Sequence, residues 1–128
     1  MPRQQKLAAL NEQFAIEGWP WFGAHPDRED YPAHGFVRAA VWDVVKTSAM
    51  AAGQTNIVFR LPQTQVPLAL WSHNTELEPH VSVGATLELN LITRNLGSET
   101  VTISQALHSY FAVSDISDVM VKGLESLD

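Results

Sequence analysis

Residues 86–95 read TLELNLITRN, and Leu87, Leu89 and Leu91 alternate there with Glu88 and Asn90. A period of two with one apolar face marks a half-buried antiparallel strand, because successive side chains point to opposite faces of a sheet. The following NLGSE (95–99) holds Gly97 and Ser98 and predicts a turn. Beyond it, TVTISQALHSYF (100–111) alternates again. Val101, Ile103, Leu107 and Phe111 fall on one face, and Thr102, Ser104, Ala106, His108 and Tyr110 on the other. The two runs predict a β-hairpin.

Working outward, further strands are predicted over 36–46, 56–61, 68–78 (continuing toward Val83) and 118–122. Pro79 lacks a ladder donor, so a strand through it is expected at an edge or at a bulge. With no helix between these runs, the pattern predicts an all-β antiparallel β-sandwich over residues 18–128 rather than a βαβ fold. The exception is the start. Leu7, Leu10 and Phe14 recur at helical spacing and Pro2 stands near the first turn, so residues 1–17 read as a short N-terminal amphipathic helix. The longest irregular stretch is GAHPDREDYPAHG (23–35), rich in charge and proline, and long loops on β scaffolds often carry function.

Composition narrows the chemistry. The 128 residues carry a formal net charge of -6 with eight basic residues and no cysteine. That balance argues against phosphate-backbone recognition, which needs clustered Lys and Arg, so no nucleic-acid partner is expected. One or two arginines still suffice for a small anion. Without cysteine there are no disulfides, thiolate nucleophiles or Cys-type zinc sites. No apolar run is long enough to span a bilayer and the first residues do not read as a secretory signal, so a cytoplasmic protein without membrane association is expected. The five histidines show no HxxxH or HExxH spacing, and neither metal nor cofactor is expected.

Three places could hold chemistry. His108 lies on the more polar face of its strand beside Tyr110; it is a hydrogen-bonded structural histidine or a general acid, since imidazole exchanges protons near neutral pH. His34 closes the long loop in HGFVR (34–38), where Gly35 allows an unusual backbone conformation and Arg38 follows on the predicted strand. The pair could hold a polar, anionic ligand, or Arg38 could form a surface ion pair with Asp27, Glu29 or Asp30. GWPWFG (18–23) gathers Trp19, Trp21 and Phe22 around Pro20, as core packing or as a platform for a sugar ring.

In this order, WPWFGAHP (19–26), HGFVR (34–38), LALWSHNTELE (68–78), VGATLELNLITRNLGSE (83–99) and ALHSYFAVSDI (106–116) resemble the aldose 1-epimerase (mutarotase) superfamily. The similarity is to the hexose-6-phosphate mutarotases, or glucose-6-phosphate 1-epimerases, within it. It implies part of a galactose mutarotase-like supersandwich whose concave sheet binds a hexose or hexose 6-phosphate. The implied reaction opens the ring by removing the C1-hydroxyl proton while an acid protonates the ring oxygen, then closes it on the other face. By resemblance His108 is the general acid, His34 positions the sugar, and Arg38 supports the 6-phosphate. Trp21, Phe22 and Tyr110 join them as substrate-binding candidates.

The departures shape the expectation. Family members are longer, and no residue here matches the motif of their C-terminal catalytic glutamate. Where the family carries an Arg-Gly-Gly stretch with a phosphate-binding arginine, this chain has Glu17 and Gly18. The expectation is a truncated mutarotase-like protein that binds carbohydrate with little or no catalysis. The alternatives are a structural or interaction protein reusing the scaffold, or an active epimerase whose base comes from a second copy or another chain. Within this chain Glu76, Glu88, Asp43 or Asp115 could substitute as base, Glu88 first, on the polar face of the strand expected beside that of His108. A sandwich with open edges and uncovered faces predicts a homodimer or higher homo-oligomer.

Overall fold

The computed structural model describes residues 14–124. It is all-β, with β1 (Phe14–Gly18), β2 (Asp43–Ala49), β3 (Thr55–Arg60), β4 (Thr75–Val83), β5 (Leu87–Asn95) and β6 (Ala106–Ser109) joined by loops and single 3-10 turns, and β2 to β5 pair antiparallel. β2 to β5 form a four-stranded meander, and β1 pairs with β6 in a separate two-stranded sheet. The chain divides into two compact units. One is residues 16–106, with the meander and its core; of the other, residues 14–15 and 107–124 are described.

The alternation in 86–95 forms a strand as predicted, but its partner differs. β5 runs antiparallel to β4, with Thr75 opposite Asn95 and Val83 opposite Leu87. No hairpin forms with residues 100–111. Asn95 explains why: its amide donates to Glu99 O at 2.7 Å and its Oδ1 accepts from Gly97 N at 3.0 Å, curling the chain away from β5. Val101 and Ile103 pack against the core instead, and Ser104 N donates to Pro20 O at 3.0 Å. Only Ala106–Ser109 is extended in a ladder.

Other expected strands shift for similar local reasons. Residues 68–74 form no strand, because Leu70 N and Trp71 N both turn back to Pro67 O at 2.9 Å. Over 36–46, Val37–Ala39 is a 3-10 turn and the strand starts only at Asp43, so Arg38 is not on a strand face. Residues 118–122 are not a strand either; Asp115 caps a 3-10 turn over Ile116–Asp118 by accepting from Ser117 N. The helix expected over 1–17 does not reach Glu17, since Phe14–Gly18 is extended, and its residues 1–13 lie outside the described ones.

Pro79 is neither at an edge nor at a bulge. β4 is an inner strand, with β3 on one side and β5 on the other. The ladder to β3 runs from Val83 to His80 and stops there. Leu61 N donates to Leu77 O at 3.0 Å, so Leu77 faces β3, and Pro79 two residues on faces the same way. The missing N–H therefore falls where the ladder to β3 breaks, and pairing to β5 continues past it.

The apolar face of β4 carries Leu77 and Val81, both buried. Trp19, Trp21, Trp71, Val37 and Leu61 cluster with Leu77. Each buried indole N–H has an acceptor: Trp19 finds Thr93 Oγ1 at 3.0 Å, Trp21 Pro32 O at 2.9 Å and Trp71 Thr75 Oγ1 at 2.9 Å. Large aromatic area is thus buried without an unsatisfied donor. In the smaller unit, by contrast, Phe111, Ile116, Met120, Val121 and Leu124 are each at least 60% exposed.

Candidate functional site

The loop between β1 and the first 3-10 turn is built around one close approach. Trp19 and Gly35 form an isolated parallel bridge, and Phe36 N donates to Trp19 O at 3.3 Å. A Cβ on Gly35 would sit 2.0 Å from Trp19 O, and Gly35 has φ +72°. Both facts require glycine. His34 precedes it with φ 67°, a left-handed conformation that histidine tolerates better than most residues. The Trp19–Pro20 peptide is cis.

This turn fixes the His34 ring. His34 N donates to Gly23 O at 2.8 Å, and Gly23 N donates to His34 Nδ1 at 3.1 Å. With Nδ1 an acceptor, a neutral imidazole carries its hydrogen on Nε2. The ring lies against exposed Phe22, centroids 5.0 Å apart. Phe22 is anchored in turn, its N–H donating to Ser104 Oγ at 2.8 Å. His34 and Phe22 are therefore brought together as a fixed donor beside an exposed aromatic ring.

The other loop candidates are placed differently. Trp21 is buried, with its ring edge-on to His25 at 4.8 Å and beside Tyr31 at 5.8 Å, so it backs the loop from inside. Arg38 makes an ion pair, but with none of the three carboxylates expected. Its Nη2 lies 3.5 Å from Glu17 Oε1 in β1, while Asp30 is taken by Arg28 at 2.8 Å.

In the smaller unit, His108 is exposed on β6 and its ring lies 4.5 Å from that of Tyr110. Among the described residues of that unit, no carboxylate is hydrogen-bonded to the imidazole. Glu88, on β5 in the larger unit, lies opposite Ser82 of β4 and accepts from Asn90 Nδ2 at 2.8 Å.

The polar face of the meander holds a cluster that the sequence reading missed. Glu76, Glu78 and His80 alternate along β4, with Arg60 on β3 and Arg94 on β5 flanking them. Arg94 Nη1 donates to Glu78 Oε2 at 2.8 Å and to Glu76 Oε1 at 2.7 Å, while Arg60 Nε donates to Glu78 Oε1 at 2.8 Å. These guanidiniums, Arg94 first, and the His80 ring hold the buried Glu78 carboxyl down at about 2, against the opposing effect of burial. The signal was present as charges spaced by two in ELE (76–78), with arginines in neighbouring strands. It reads as sheet-face neutralisation: every acidic oxygen there is already engaged by a cation.

One shallow cleft of about 250 Å³ opens elsewhere, lined by Ser72, His73, Asn95 and Glu99 among others, and includes none of the candidate residues. Among the described residues no three His, Asp or Glu side chains are grouped to hold a metal ion, and no helix is long and apolar enough to cross a membrane.

Comparison with known proteins adds a family and relatives. The family model described as "Aldose 1-epimerase" matches residues 17–128. A protein of Escherichia coli (strain K12) named "Putative glucose-6-phosphate 1-epimerase" is 39% identical over 106 residues, covering 83% of this chain and 34% of its own length. Proteins of the same printed name from Salmonella typhimurium and Cenchrus ciliaris are 36% and 30% identical, over 83% and 85% of this chain and 34% and 35% of theirs. The chain thus spans about a third of the length of these relatives. No solved structure gave a significant match.

Proposed function

The chain belongs to the aldose 1-epimerase family, and on that premise we propose that it binds a hexose or hexose 6-phosphate at the His34 loop. The observation that carries this reading is the tethering of His34 Nδ1 to Gly23 N–H. It leaves Nε2–H as a donor of fixed direction, suited to a sugar oxygen, which a freely rotating histidine would not be. Phe22 supplies an apolar ring face for the C–H side of a pyranose, and Arg38 supplies further N–H donors. Trp21 holds the loop from behind.

In its own unit, His108, with Tyr110 beside it, is the candidate acid for anomer interconversion. Anomer interconversion needs a proton given to the ring oxygen and one taken from the C1 hydroxyl, and neither step works well alone. No carboxylate is bonded to His108 among the described residues of its unit, which favours sugar binding with little or no turnover by the isolated chain. A base from another chain would complete the pair. The exposed apolar side chains of 107–124 favour association with a second copy, which would cover them.

Exchange spectroscopy on α- and β-glucose and glucose 6-phosphate, with the chain and its His108→Ala variant, tests this. Ligand-induced shifts with interconversion near the uncatalysed rate are expected. Rapid interconversion abolished by His108→Ala would instead support an active epimerase whose base comes from a second copy or another chain.

A further inference from the structure

We propose that Glu17 makes this site select an uncharged aldose over its 6-phosphate, an inference that rests on the sugar-site reading above. The relatives are named for glucose 6-phosphate, whereas Arg38, in the 3-10 turn that follows the His34 loop in the chain, already has an anion. Glu17 Oε1 lies 3.5 Å from Arg38 Nη2, and the Glu17 side chain is only 17% exposed against 57% for Arg38. Glu17 is therefore the enclosed partner and Arg38 the accessible one.

A phosphate ester carries close to two negative charges at neutral pH. To reach Arg38 it must approach within a few ångströms of the Glu17 carboxylate, which has little room to swing into water. Repulsion between like charges at that range, in surroundings less polar than water, offsets what the guanidinium offers. A neutral sugar meets no such opposition. Its hydroxyls can accept from the N–H groups of Arg38 that Glu17 does not engage, and from His34 Nε2.

No other described arginine fills the gap. Among the described residues every arginine has a carboxylate partner: Arg28 has Asp30, and Arg60 and Arg94 share Glu76 and Glu78. The net charge of -6 adds to the repulsion of a dianion. Glu17 is also locally fixed. Gly18 beside it has no room for a side chain, since a Cβ there would lie 2.9 Å from the Phe22 ring, and Trp19 is bridged to Gly35.

The test is a titration of the full chain and of Glu17→Gln with glucose and with glucose 6-phosphate, following the His34 and Phe22 resonances. Glutamine keeps the shape and removes the charge. The wild-type chain should bind glucose about tenfold or more tighter than glucose 6-phosphate. Glu17→Gln should tighten glucose 6-phosphate by about tenfold, leave glucose within about twofold, and lose much of that gain as salt is raised. Arg38→Ala should weaken both sugars alike. The inference is overturned if wild type binds the phosphate ester at least as tightly as glucose, if Glu17→Gln leaves the ratio unchanged, or if Arg38→Ala selectively abolishes glucose 6-phosphate binding. If neither sugar perturbs His34 or Phe22 in either chain, the sugar-site reading itself falls, and this inference with it.

Discussion

His34 and Gly23 are bonded to each other twice, backbone to backbone and backbone to ring: His34 N to Gly23 O at 2.8 Å, and Gly23 N to His34 Nδ1 at 3.1 Å. The second bond turns a loop conformation into a chemical specification, because it decides which ring nitrogen is left to donate. Everything proposed for the site depends on the turn that allows it.

That turn should be intolerant of a side chain at Gly35. Gly35→Ala combines φ +72° with a Cβ only 2.0 Å from Trp19 O, so the backbone must move. A loss of roughly 2–4 kcal/mol in denaturant unfolding is expected. Gly23→Ala is the control: its φ of +77° is also left-handed, but nothing lies within 4 Å of the new Cβ. Its cost should be about 1 kcal/mol. Equal costs would contradict the role given to the Trp19 contact.

Ser104 is expected to support the loop from the other side. Its Oγ accepts from Phe22 N at 2.8 Å, so Ser104→Ala should cost about 1 kcal/mol. Amide hydrogen exchange at Phe22 should quicken, while amides within β4 and β5 stay protected. Unchanged exchange at Phe22 would remove Ser104 from the account of the site.

The charged face of the meander sets an acid limit. Glu78 is held at about 2, below its ordinary value near 4.5. A depressed carboxyl contributes stability that is fully present above the unfolded value and lost as pH falls through the folded one. Stability should therefore decline between about pH 4.5 and 2. Glu78→Gln should flatten that decline while costing on the order of 1–2 kcal/mol near neutrality, because the two exposed guanidiniums lose one of the two carboxylates they share. Acid unfolding curves of the two chains, compared by circular dichroism, check both effects. A parallel decline in the variant would assign acid sensitivity to other groups.

Self-association should appear in light scattering at micromolar concentration as a particle of two or more chains. Placing charge on the exposed run with Ile116→Asp and Met120→Asp should shift the particle toward monomer. A strictly monomeric wild-type chain would contradict this expectation.

How far the sequence could be read depended on what each pattern needed from elsewhere. β5 was legible as a strand because its alternating face lies wholly within residues 86–95, but its partner was expected in 100–111 and is β4, across the short connection between Val83 and Leu87. Residues 100–105 alternate just as well, yet Asn95 and the Trp19–Phe22 loop decide their fate, and neither is encoded in the alternation. Pro79 shows the reverse case: proline rules exclude an unbroken ladder on the N–H side but not an inner strand whose ladder lapses on that side. In the candidate site, His34, Gly35 and Phe22 were legible as a motif. The tautomer of His34 was not, because it depends on the amide of Gly23 eleven residues away. Arg38 was legible as a cation next to the loop. Its partner was expected among the loop acids, and only the placement of β1 beside the loop identifies it as Glu17.

The most direct test of the sugar site is the long-range proton–nitrogen spectrum of the His34 ring during titration with glucose. The expected result is a neutral ring protonated at Nε2 before sugar is added, with the Nε2–H signal shifting saturably as glucose binds and the shift lost in His34→Ala. A ring protonated at Nδ1, or an Nε2 signal that ignores the sugar, would contradict it.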